Sequence, residues 1–131
     1  MNWLHFALVV VASGVIASFT DWLFMGVLFH DKYLETPEVW RASIPQGRKI
    51  GYSELIGLIG SAGFAWLLIT LNQEALGPAL AAAVAVWLAS AVPVIFTNVL
   101  WMRLHPALGL SHSAGWLARL VITALAAAYL P

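Results

Sequence analysis

Four long apolar runs dominate the chain, at about residues 3–29, 50–71, 79–102 and 113–130. Each is near the ~20 residues that a helix needs to cross a bilayer. The runs are continuous and rich in Ala and Leu. A membrane barrel would instead show alternating segments of about ten residues. Helices and closed barrels are the two structures that satisfy every backbone group in lipid. The pattern therefore predicts an all-α integral membrane protein, an antiparallel four-helix bundle in a single transmembrane domain over residues 1–131.

The connections differ in character. The stretch 30–49 is polar and holds most of the charge. Within it Thr36-Pro37-Glu38 supplies an N-cap, a proline at the first helical position and an early acidic residue. That order predicts a short interfacial helix through Val39, Trp40 and Arg41, ended by Pro45 and Gly47. Residues 72–78 read as a tight turn. Residues 103–112 read as a loop containing Pro106 and Gly109, with Ser111 as N-cap of the last helix.

Composition agrees with membrane insertion. Hydrophobic residues make up 62%, charged residues 9%, and mean hydropathy is +0.88. A soluble domain carries about 25% charged residues. Most of this surface must therefore face lipid, and the bilayer is the first expected partner. The formal net charge is zero, so nothing draws the chain to nucleic acid. There is no cysteine, which excludes disulfides, thiolate metal sites and a Cys nucleophile. No Lys or Arg precedes the first apolar run, and the run is too long for a signal h-region. It reads as a retained membrane helix.

The six cations set an expected orientation. Lys32, Arg41, Arg48, Lys49, Arg103 and Arg119 all lie in the first and third connections or in the membrane half nearest them. The positive-inside rule then places the charged loops in the cytoplasm and both termini outside. Trp3, Trp66 and Trp87 are expected at the outer interface, Trp101 and Trp116 at the inner one.

There is a trace of duplication. Phe19-Thr20-Asp21-Trp22-Leu23-Phe24-Met25 returns as Phe96-Thr97-Asn98-Val99-Leu100-Trp101-Met102. Two helical hairpins related by an axis along the membrane normal would produce this. So would chance similarity among apolar helices.

Asp21 is the chemical anomaly. A charge at the centre of a membrane helix costs about 2.5–3.5 kcal/mol. Asp21 lies about eight residues before the first helix ends, roughly 12 Å deep. Arg119 lies about six residues into the fourth, roughly 9 Å deep from the same side. The matched depths predict a bidentate Asp21–Arg119 ion pair. Glu54, Asn98 and His112 converge on the same level, with small or polar stripes on the first three helices. These are Gly14, Ser18 and Asp21; Glu54, Gly57 and Ser61; and Ser90, Pro93 and Thr97. The four helices would then surround a polar chamber. It is either a fastener, with its groups mutually satisfied, or a site for a small solute or proton. His30, His105 and His112 lie on one side with Asp31 and Glu35, but no helical ligand spacing supports a metal. His5 stands alone at the opposite end. No Walker, dinucleotide or Ser-nucleophile motif occurs, and no cofactor is expected.

The stretch Phe24-Met25-Gly26-Val27-Leu28-Phe29-His30-Asp31-Lys32-Tyr33 resembles the end of the first helix in a family of small four-helix bacterial membrane proteins of unknown function. The family pattern there is approximately Trp-Tyr-Gly-Pro-Leu-Phe-Gly-Lys-x-Trp. His112-Ser113-Ala114-Gly115-Trp116 is similar to the His-Ser-x-Gly-Trp that opens the family's last helix. Phe24, Met25 and Val27 depart from the pattern. The resemblance implies a bacterial inner membrane and transfers no catalytic residue. Three roles are open: a non-enzymatic module that self-associates or joins a membrane assembly, a transporter built on the polar cluster, or a membrane-embedded enzyme acting on a lipid or quinone near His112.

Overall fold

The computed structural model describes residues 2–131 and is all-helical among them. Four helices are long and apolar enough to span a membrane: Trp3–Leu28, Gln46–Thr70, Leu76–Trp101 and Pro106–Tyr129. They are called the first to fourth spans below. Three of them start earlier than the apolar pattern suggests, and proline is the reason. Pro45 precedes the second span, Pro78 lies in the first turn of the third, and Pro106 is the first residue of the fourth. Proline has no N–H to lose in a first helical turn, so it starts helices as readily as it ends them. The stretch 103–112 is thus mostly helix. His105, not Ser111, is the N-cap, its Nδ1 accepting from the Ala107 N–H at 3.1 Å.

The other terminations are equally local. Asn2 caps the first span through Oδ1, which accepts from Leu4 and His5. The second span ends at Thr70 and is capped through Asn72, the one non-glycine residue at positive φ (52°) among those described. Gln73 N–H donates to Leu68 O and Asn72 N–H to Ile69 O, a left-handed C-terminal cap. The first span finishes in a π-helical turn, Phe24–Leu28, and a short helix follows over His30–Leu34. The expected interfacial helix is a single 3-10 turn, Pro37–Val39. A second π turn, Trp87–Ala91, precedes Pro93 in the third span, with Val92 N–H donating to Trp87 O, and so accommodates a residue that has no N–H to donate.

Packing is unequal. The fourth span touches all three others, and the first and second also touch each other. The third packs mainly on the fourth. Contacts between first and fourth are extensive with no comparable pairing of third and second, so two equivalent hairpins are not realised in the packing. The apolar core fills the half nearest the termini, from Val9, Phe64, Ala65, Leu68, Ala79, Ala83, Leu120 and Ala124 among others. The half nearest the charged loops holds the polar layer.

Candidate functional site

Asp21 and Arg119 meet. Arg119 Nη2 donates to Asp21 Oδ2, and Nη1 reaches Ser61 Oγ at 3.5 Å. The pair is therefore single-pronged, with the second arm of the guanidinium on a third helix, rather than bidentate. The fork ties the fourth span to the first and the second at once. Arg119 is 3% exposed, so the pair is largely removed from its surroundings.

Two glycines make the room. A Cβ on Gly57 would fall 2.5 Å from Arg119 Cζ, and one on Gly115 would fall 3.1 Å from Asp21 Oδ1. The guanidinium lies flat on the bare backbone of the second span, and the carboxylate on that of the fourth. Gly60 does the same for the Trp116 ring, 2.7 Å from its would-be Cβ. What approaches each of these glycines is a side chain, not a neighbouring backbone.

Glu54 bonds to the Ser18 hydroxyl. His112 faces Tyr33, whose hydroxyl donates to Ser111 Oγ at 3.2 Å and lies 3.3 Å from His112 Nε2. Tyr33 stacks on Trp40 at 5.2 Å, and Trp40 Nε1 donates to the Tyr33 carbonyl. Tyr33, backed by Trp40, covers His112 from the loop side. Burial pushes the Tyr33 phenol above its ordinary range; the bond with Ser111 opposes this, and the Asp21 charge adds to it. The phenol thus keeps its proton and its donor role at neutral pH.

Asn98 does not join the others. It is half-buried on the third span and its side chain makes no hydrogen bond among the described residues. The Ser90, Pro93 and Thr97 stripe is exposed, with Ser90 on an apolar groove shared with the second and fourth spans. The polar layer is therefore built by three spans and the loop, not four. Two tryptophans are also displaced from the expected belts. Trp87 is pinned within the bundle, its Nε1 donating to Ser113 O at 2.9 Å and Oγ at 3.1 Å. Trp116 lies against Gly60.

At the opposite end His5 is buried, not alone. Its Nε2 lies 2.8 Å from Glu74 Oε1 and its Nδ1 3.1 Å from the Pro131 oxygen. Both partners are oxygens, so a ring N–H of His5 donates into this contact. Sequence reading had no route to this contact, because nothing local joins residues 126 positions apart. Among the described residues no buried side-chain nitrogen or oxygen lacks a partner, and no three of His, Asp and Glu are placed to hold a metal.

A family model described as a protein of unknown function (DUF1761) matches residues 8–128. No curated protein and no solved structure matches the chain.

Proposed function

The chain belongs to that family, and from this premise we propose that it is a small non-enzymatic membrane protein that works by associating with other membrane helices. The partner is either a second copy or the subunits of a larger assembly. The observation that carries the reading is the Asp21–Arg119–Ser61 cluster, whose buried groups bond to one another across three spans, as in a fastener. What is left for function is the lipid-facing surface, chiefly the third span, of which 11% is buried in the bundle. We place the protein in a bacterial inner membrane with charged loops cytoplasmic and termini outside, because Lys32, Arg41, Arg48, Lys49 and Arg103 all lie at one end. Subunit counting by single-molecule photobleaching in bilayers, with pull-down from native membranes, tests the role. A strict monomer that captures nothing would overturn it.

A transporter is the second reading, and Glu54 favours it, since that carboxylate takes no cation from the protein. Asp21→Asn and Glu54→Gln in proteoliposomes would each abolish a proton-linked flux on this view. The enzyme reading loses ground, because Tyr33 occupies the face of His112 that a lipid or quinone would need.

A further inference from the structure

The polar layer holds two carboxylates and one fixed cation. Arg119 is spent on Asp21 and Ser61. Glu54 has the Ser18 hydroxyl alone, and among the described residues it forms no ion pair. Ser18 also donates to Gly14 O at 3.0 Å. One hydroxyl has one proton for these two acceptors, so Ser18 does not compensate the carboxylate. Asp21 is close enough to repel it further. An unpaired carboxylate inside a membrane calls for a cationic partner.

Glu54 stands at one end of a groove of about 410 Å³ between the first and second spans. Pockets that take small molecules occupy about 300–1,000 Å³. The remaining walls are apolar, from Val11, Gly14, Val15, Leu55 and Leu58. Gly14 closes the floor: a Cβ there would fall 2.7 Å from Leu58 Cδ1, so the helices touch beneath the groove. Glu54 lies eight residues into the second span, roughly 12 Å along it. From Ser18 to Val11 the groove extends roughly 10 Å further toward the terminal end. It thus has a charged end nearer the charged loops and an apolar end nearer the membrane centre. An amphiphile in that leaflet has the same polarity.

We propose that this groove binds a single-chain amphiphile carrying a protonated amine, its ammonium on Glu54 and its alkyl chain along Val11, Val15 and Leu58. The charge complementarity selects the head, since N⁺–H···O⁻ bonds are about twice as strong as neutral ones. The depth selects against a bilayer phospholipid, whose head group stays at the surface. The site is independent of whether the chain self-associates, because Glu54 and the groove lie on the first and second spans alone.

The test is calorimetric titration of decylamine into the full chain in nanodiscs at pH 7, with empty nanodiscs subtracted. A saturable one-to-one component is expected, absent with decanol. Glu54→Gln should weaken it at least about tenfold, a loss of ~1.4 kcal/mol. Val15→Trp, at a position 56% exposed, should fill the groove and weaken it similarly without disturbing the core. Ser18→Ala should retain it. The Val15 variant also keeps the test decisive should Glu54→Gln fail to fold. Equal binding of decanol, or decylamine binding unchanged in Val15→Trp, would overturn the proposal as mere partition.

Discussion

The third and fourth spans invert the rule of soluble proteins. The third is the most apolar of the four, with mean hydropathy 2.3, and 11% of it is buried. The fourth is the least apolar, at 1.2, and 44% of it is buried. In water the ranking would be reversed. In lipid no hydrophobic force draws helices together, so small residues and polar groups assemble the interior while the greasiest helix faces the tails. The fourth span has the means: Ser111, Ser113, Gly115, Arg119 and Thr123 are all buried on it. The third offers Ala79, Ala83 and the Trp87 indole.

Substitutions on the two spans should expose that contrast. The largest effect is expected from Arg119→Ala, which strands Asp21 and frees Ser61. Removing one partner of a buried pair costs about 3–5 kcal/mol, and reversible unfolding in mixed micelles should register a loss of that order. A variant as stable as the parent would mean the fourth span is not held by its polar face. Next comes Gly57→Val, which drives a side chain into the guanidinium. Overpacking of this kind costs about 1–3 kcal/mol, and the same assay should place it between the arginine variant and the parent.

Trp87→Phe should cost roughly 0.6 kcal/mol, the average for a membrane hydrogen bond, and loosen only the third span. Cross-linking between positions 83 and 124 reads this; undiminished cross-linking would show that the two alanines suffice. Tyr33→Phe acts at the loop end of the fourth span. The folded phenol titrates above the usual 10.0, so its O–H bond with Ser111 is intact below that value and is lost as pH climbs through the raised one. The parent should therefore lose stability in strong alkali while Tyr33→Phe stays flat there, a difference visible in thermal melts across pH. Least should come from Val94→Ala, 61% exposed on the third span, at no more than about 0.5 kcal/mol. A larger loss on assembly than on folding would point to Val94 as part of an interface.

How much of this was written in the chain depends on the length scale of each signal. The four spans were legible because twenty apolar residues leave few alternatives. Their starts were not, since Pro78 and Pro106 break one helix or begin the next, and only the geometry says which. The Asp21–Arg119 pair was legible for a partly mistaken reason. The helix that carries Arg119 starts thirteen residues before it, at Pro106, rather than six before it, at Ser113, yet its first turns lie beyond the end of the first span, where Ser111 meets Tyr33, and this restores the match. Asn98 was misled by a repeat in the letters that the packing does not honour. Its helix turns Pro93 and Thr97 outward, and composition alone cannot tell which face of a wholly apolar helix will be covered.

The central position of the fourth span also bears on the order of assembly. Arg119 follows Asp21 by 98 positions. At ~5–20 residues per second, the carboxylate spends roughly 5–20 s in the membrane before its guanidinium has been synthesised. The neighbouring Val, Ile, Leu and Phe residues each return about 0.3–0.6 kcal/mol on insertion, enough together to carry one acidic group. The first span can thus enter the bilayer unaided. The ion pair belongs to a later stage, in which three helices already in the lipid are gathered by the last of the four to be made.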